Sequence, residues 1–320
     1  FEERALARFD RLDQQIRVGA EQRLERPLRV QGSYAFDDNT GVESKTHIVM
    51  GWMLGESTDL EQLLEAQLLS SVLLENSASP LQHLLETTEL GLAPSPLCGL
   101  EDSMRELVFC CGIEGSEAER ADELEAEVLA VLEKVAAEGV SLERLEAVLH
   151  QLELHQREVS GDSFPYGLQL ILQALGCATH YSDPIAVLDL DPVIARLRDH
   201  IRDPEYIRGL ARKLLLENSH RVTLVMTPDK ALSARRQEQE NARLSSIREG
   251  LDQEQRAAVV QLATDLLQRQ AQEDDESILP KVELADVPAG LPELEFRESG
   301  SGNIRNTSYA QGTNGLVYQQ

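Results

Sequence analysis

From Lys45 to Gly91 the chain reads KTHIVMGWMLGESTDLEQLLEAQLLSSVLLENSASPLQHLLETTELG, and no other stretch narrows the choice of fold as much. Thr46 to Leu54 is rich in β-branched and large apolar residues and stops at Gly55, the pattern of a buried strand. Thr58-Asp59-Leu60-Glu61 has capping-box spacing, a hydroxyl for the orphan amides and a carboxylate three residues on. Leu60, Leu63, Leu64, Leu68 and Val72 then recur at three- and four-residue steps, one apolar face of a helix running to about Asn76. Ser77-Ala78-Ser79-Pro80 breaks it, and a second short helix starts around Leu81. A strand laid against a helix pair is the nucleus of an α+β layer.

The rest of the chain repeats that grammar. Phe1 to about Gly19 reads as a helix with Leu6, Phe9, Leu12 and Ile16 on one face, and Glu21 to Pro27 as a polar connector. Leu28 to Phe36 reads as a strand closed by the turn cluster Asp37 to Gly41. Met104 to Ile113 is a further apolar strand, and Ser116 and Glu119 repeat the capping-box spacing. Leu124, Val128, Val131, Leu132 and Val135 form a helix ending at Gly139. Ser141 caps the next helix, with Leu142, Leu145, Val148, Leu149 and Leu152 inward. A loop, Ser160 to Tyr166, precedes a helix over Gly167–Ala178. Asp191-Pro192 and Asp203-Pro204 each open a helix with Pro at its first position, and His220 to Met226 is a returning strand. Beyond Pro228 the composition shifts to Gln, Glu, Arg, Ala and Leu. Gly250 and Asp252 divide this stretch into two helices, read as an antiparallel hairpin with a narrow stripe of Leu251, Val259, Leu262, Leu266 and Leu267. Pro280, Pro288 and Pro292 hold the chain extended, Arg297 to Ser308 reads as a mobile linker, and Tyr309 to Gln320 as the first strand of something further.

Charge restricts the class of partner. Fifty-six acidic residues against 30 basic give a formal net charge of −26, which argues against nucleic acid, whose binding rests on phosphate neutralisation by Lys and Arg. The acidic balance reads either as a solubilising surface or as a wall that attracts basic peptides. No apolar run reaches the roughly 18 residues of a membrane-spanning helix. The chain opens on Phe1 and ends in an apolar segment, Gly315 to Tyr318, so we read it as a piece of a longer polypeptide. Cys98, Cys110, Cys111 and Cys177 show no metal-ligand spacing. Adjacent Cys110 and Cys111 read as small strand residues on opposite faces, which fits a reducing, intracellular compartment.

The search for chemistry nominates no catalytic, cofactor-binding or metal-ligating residue. Zinc peptidases need two His on one helix face beside a Glu base, as His-Glu-x-x-His or His-x-x-Glu-His. The nearest approach is His83-Leu84-Leu85-Glu86-Thr87, where Thr fills the second ligand position and is a poor zinc ligand. His150 and His155 are five apart and turn to different faces. Gly312-Thr313-Asn314-Gly315 is a turn signal, not a phosphate cradle, and no nucleophile elbow or Walker loop occurs.

Four segments carry a resemblance: Lys45-Thr46-His47-Ile48-Val49-Met50-Gly51-Trp52, the Ser79-Pro80-Leu81 break, Phe164-Pro165-Tyr166-Gly167-Leu168, and His180-Tyr181-Ser182-Asp183-Pro184. Together they resemble the presequence-protease branch of the insulinase (pitrilysin) metallopeptidases, and Gly312 to Tyr318 resembles the entry strand of that family's third repeat. The resemblance implies four related α+β repeats, two per half, joined by a helical hairpin and closing around an unfolded peptide. The first repeat would carry the inverted zinc motif. In this chain Val72-Leu73-Leu74-Glu75-Asn76 would stand where His-x-x-Glu-His stands there, and Val72 and Asn76 cannot hold zinc.

The expectation is therefore an α+β protein, an insulinase-type repeat with a mainly antiparallel sheet packed by helices, followed by an α-helical hairpin. Its parts would be an N-terminal helix and connector (1–27), a non-catalytic domain (28–228), a hairpin hinge (229–276), and an extended linker with the next repeat's first strand (277–320). The resemblance implies a chamber wall and hinge of a cytoplasmic or organelle-matrix zinc endopeptidase that degrades unstructured oligopeptides. The fragment would be inactive alone and hold no cofactor, with zinc bound by an N-terminal repeat outside it. Its partners would be the other repeats and unstructured peptides, basic ones among them, with neither nucleic acid nor membrane. A non-peptidase scaffold of the same repeat fold, as in respiratory-complex core subunits, and a stand-alone helical interaction module are the competing readings.

Overall fold

Apolar alternation along two long strands builds the centre of the fold. The computed structural model describes the chain except residues 1–2, 4–5, 11, 13, 37–40, 159–164, 274–276, 278, 280, 288, 291–294, 302–303, 310–311, 313 and 317–320. Ile48, Met50, Trp52 and Leu54 of β2 (Thr46–Glu56) are buried, as are Leu107, Phe109, Cys111 and Ile113 of β5 (Glu106–Ser116). Their antiparallel register sets Trp52 opposite Phe109, with ring centroids 5.9 Å apart. The indole satisfies its N–H by donating to Leu215 O at 2.9 Å, as a buried Trp must.

Around that pair a single sheet forms in the order β1 (Leu28–Ala35), β6 (Arg221–Asp229), β2, β5, β3 (Ala93–Pro94), with β4 (Gly99–Glu101) also on β5. Within it only β1 and β6 run parallel; the other pairs are antiparallel. The fold is thus α+β with a mainly antiparallel sheet, and one face is packed by helices: α1 (Leu60–Leu74), α2 (Pro80–Thr87), α3 (Ala121–Glu138), α4 (Leu142–Arg157), α6 (Leu190–His200) and α7 (Pro204–Ala211). α5 (Tyr166–Thr179) buries only Cys177.

Local signals succeed where a side chain can act on its own backbone. Asp203 accepts from the Glu205 amide with Pro204 in the first turn of α7, and Gly139 ends α3 at φ 75°, a conformation glycine tolerates. Three caps differ from expectation. The cap of α1 is Asp59, whose carboxylate accepts from the Glu61 and Gln62 amides, so the Thr58–Glu61 box does not form. Ser116 stays in β5 and donates to Leu90 O at 2.6 Å, and a short 3-10 turn precedes α3. Pro192 lies inside the first turn of α6, after Asp189 and Leu190.

The ends of the chain correct the reading more strongly. Among the described residues of the expected helix from Phe1 to Gly19 there is a 3-10 turn at Leu6–Arg8 and no α-helix, and Leu6, Phe9, Leu12 and Ile16 are exposed. An amphipathic face with nothing to pack on does not repay its ordering entropy. The connector after it is anchored: Arg23 pairs with buried Glu106 at 2.6 Å, and the Leu24 amide donates to His220 Nδ1 at 3.3 Å.

Ala231–Thr313 forms a second compact unit. Within it α8 (Leu232–Gly250) and α9 (Gln253–Ala271) bury none of their residues. Asp252 caps α9 in a complete capping box with Gln255. The segment expected to be a mobile linker is instead an antiparallel ribbon, β7 (Phe296–Ser301) with β8 (Ile304–Tyr309), closed by Phe296 opposite Tyr309. Cross-strand aromatic pairs of this kind stabilise hairpins. Most of the strand expected over Tyr309 to Gln320 lies outside the described residues, as does most of the loop at Ser160 to Tyr166.

Candidate functional site

The metal readings can be placed directly. His83 and Glu86 sit exposed on α2; Glu86 accepts from Gln82 Nε2 at 2.7 Å, and Thr87 Oγ1 donates to His83 O at 2.7 Å. The Gln82 amide and the Ser77 hydroxyl hold the Glu86 carboxyl below its usual range. Val72 is a fully buried core residue, Glu75 is exposed beyond the end of α1, and the Asn76 carboxamide closes the following turn onto the Ala78 amide. These three do not converge. His150 and His155 are both exposed on α4. Among the described residues no three His, Cys, Asp or Glu side chains come together in a way that could hold a metal ion, so the residues present do not fit the zinc of the resembled family.

What the fold does expose is the second face of the sheet. Register places Leu28, Val30, Gly32 and Tyr34 of β1 beside Val222, Leu224, Met226 and Pro228 of β6. These continue into His47, Val49, Gly51 and Met53 of β2, then Val108, Cys110, Gly112 and Glu114 of β5. Directly opposed residues share a face, so these residues form one mainly apolar face with glycines at 32, 51 and 112; Val49 and Gly112 at its centre are buried, and His47 and Glu114 are its polar members. Leu28 is 48% and Val30 39% exposed. On the helical side of the same strand Arg29 pairs with Asp122 and Glu125 of α3, while Arg221 and Thr223 also hold Glu125. Those ion pairs fix which way β1 faces.

β1 is also an edge of the sheet, the position at which an extended peptide can add a strand. At its C-terminal end Tyr34 stands edge-on to His47 (5.3 Å) and Phe36 (6.3 Å), and donates to Lys45 O at 2.7 Å. Glu114 Oε2 lies 3.8 Å from His47 Nδ1. Burial, then the Glu114 charge, raise the Tyr34 hydroxyl, so it stays a neutral donor. Burial likewise pushes the Cys110 thiol up to about 11 and raises Cys98 and Cys111. These are packing thiols at neutral pH, not nucleophiles. Cys110 and Cys111 do point to opposite faces, as their adjacency on a strand implies.

Sequence reasoning found β2 and β5 but did not single out this surface, because its halves, β1 and β6, lie nearly two hundred residues apart. The only local signal was glycine within strand patterns, which marks close backbone approach.

Comparison with known proteins gives this geometry its context. Residues 5–152 match the profile described as "Peptidase M16 inactive domain", and residues 226–320 match that of the region associated with subfamily C of the same peptidases. The chain belongs to the M16 (insulinase) family of peptidases. Among curated M16 relatives, the mitochondrial presequence protease of Xenopus tropicalis is 28% identical over 318 residues, 99% of this chain and 31% of that protein. The chloroplastic/mitochondrial presequence protease 1 of Arabidopsis thaliana is 26% identical over 301 residues, 92% of this chain and 28% of that protein. The chain thus spans less than a third of the length of these relatives. Among solved structures, the periplasmic protease PqqL of Escherichia coli aligns over 71% of this chain and 23% of its own, at 15% identity and a TM-score of 0.47. The assignment to the inactive domain makes the chain a non-catalytic part of an M16 peptidase.

Proposed function

We propose that this chain is the peptide-holding wall of a zinc endopeptidase that degrades unstructured peptides, with Leu232–Ala271 as the hinge segment and catalysis supplied from outside these 320 residues. One observation carries the reading: the sheet's edge strand, β1, borders a mainly apolar face on the side away from the helices. An extended peptide could extend the sheet at β1 through its backbone and lay alternate side chains on that face. The net charge of −26 favours the approach of basic peptides. The similarity to mitochondrial and chloroplastic/mitochondrial presequence proteases favours an organelle matrix over the cytoplasm.

Fluorescence anisotropy with a labelled, unstructured basic peptide tests the reading. Wild type should bind saturably, and Val30→Lys, which places a like charge on the open face, should weaken binding about tenfold, on the order of 1.4 kcal/mol. Equal affinity in the variant, or no saturable binding, would overturn it. Zinc analysis after dialysis against metal-free buffer should give a ratio near zero, with no chelator-sensitive peptidase activity. A stoichiometric ratio would instead make His83 and Glu86 the first residues to mutate.

A further inference from the structure

Beside α1, away from the open sheet face, lies a cavity of about 840 Å³ bounded by α1, α4 and α5, within the size range of pockets that take a drug-sized ligand. Leu63 and Leu172 are among its apolar walls, and Gln67, Gln156, Gln169 and Gln173 supply four carboxamides. Gln173 Nε2 donates to Gln156 Oε1 at 3.2 Å, and Gln67 Nε2 donates to Asp102 Oδ2 at 3.3 Å. That second bond settles the orientation of Gln67. Turning the amide over would set its oxygen against a carboxylate oxygen, so the nitrogen faces Asp102 and Oε1 faces away. Gln67 Oε1 is shielded from solvent and, among the described residues, has no hydrogen-bond partner. A buried acceptor without a donor is costly enough to call for one.

The lining limits what can supply that donor. Among the described residues it contains no Lys, Arg or His, so nothing balances an anion. Its carboxylate, Asp102, is already engaged by Gln67, which leaves little to hold a cation. A hydrocarbon would fill the leucine walls but leave Gln67 Oε1 unpaired. A backbone amide flanked by apolar side chains meets these conditions: it is neutral, donates through N–H, accepts through C=O and buries hydrocarbon. We propose that this cavity binds a short apolar peptide supplied in trans, with one backbone N–H donated to Gln67 Oε1. The site lies off the open sheet face and stands or falls independently of peptide binding at β1.

Calorimetric titration of the 320-residue chain with N-acetyl-Leu-Leu-amide tests this, together with analogues in which one backbone N–H at a time is replaced by an ester oxygen. Wild type should bind saturably, and one ester analogue should bind roughly tenfold more weakly. The Gln67→Leu variant should bind the amide peptide as weakly as wild type binds that ester, with no further loss for the ester. Leu172→Trp, which fills the cavity, should abolish binding, while the Val30→Lys variant should bind normally. Absence of saturable binding would overturn the proposal, as would equal binding of all analogues to wild type or undiminished binding by Leu172→Trp. If the cavity is filled by the chain itself, neither peptide nor ester will bind, and the proposal fails in the same way.

Discussion

At Gly112 the sheet leaves no room for a side chain. A Cβ there would press on Ile48 O and lie 2.7 Å from Val49 Cα, both backbone atoms of the central strand. At Gly51, on the same face, the nearest atom would be Cys110 Sγ at 3.4 Å, the movable end of a side chain. Gly112→Ala should therefore destabilise unit Phe1–Lys230 by about 1–3 kcal/mol, the usual cost of overpacking, and Gly51→Ala by less than about 1 kcal/mol. Urea titration followed by Trp52 fluorescence reads both, and equal effects would show that β2 can shift to admit the methyl group. Cys110 gives a second test at this scale. Burial raises its folded pKa from 9.0 to about 11, so between those values the unfolded chain releases a proton that the folded chain keeps. Its contribution to stability is present in full below pH 9 and is lost as pH rises towards 11. Cys110→Ala should flatten the fall in stability over that window; an unchanged slope would assign it to other groups.

Elements were legible from sequence in proportion to how locally they are stabilised. β2, α1 and the broken start of α2 follow from hydrophobic period and turn residues within a few positions of one another. The N-terminal helix fails as an expectation because periodicity alone supplies only half of a contact: Phe9, Leu12 and Ile16 stay exposed, without a surface to cover. The β7–β8 ribbon was missed for the opposite reason. Its Gly, Ser and Asn read as loop, while the pairing of Phe296 with Tyr309 spans thirteen positions. The open face was less legible still, since it exists only once β1 lies parallel to β6. α9 is the purest case of local control, exposed along its whole length and begun by the Asp252–Gln255 box. Asp252→Ala should cost about 1 kcal/mol of helix stability, seen as faster amide exchange in the first turns of α9 and little change in the sheet. Slow exchange after the substitution would mean that contacts made elsewhere, not the cap, hold the helix.

In the larger unit many basic side chains are tied into ion pairs, some between distant segments and some within one helix. Arg29 and Arg221 converge on α3, Arg157 and Arg198 share Glu153, and Arg208 and Arg212 share Glu205. Exposed pairs of this sort contribute little stability individually, but they fix arginine side chains on a folded backbone that a protease would have to open. In the smaller unit, Ala231–Thr313, Arg243 pairs with Glu240 and Arg256 donates to Leu251 O and Arg248 O, but Arg236, Arg243, Arg248 and Arg256 all lie on exposed helices with no buried residue. Backbone without buried side chains opens at low free-energy cost. Brief trypsin treatment of the native chain should therefore cut first within residues 231–271 and leave a fragment ending near Lys230 that keeps its Trp52 fluorescence. Mass spectrometry of the early products decides the matter. First cuts within β2, α1 or α3 would mean that the core sheet, rather than the exposed helices, is the weaker part of the chain.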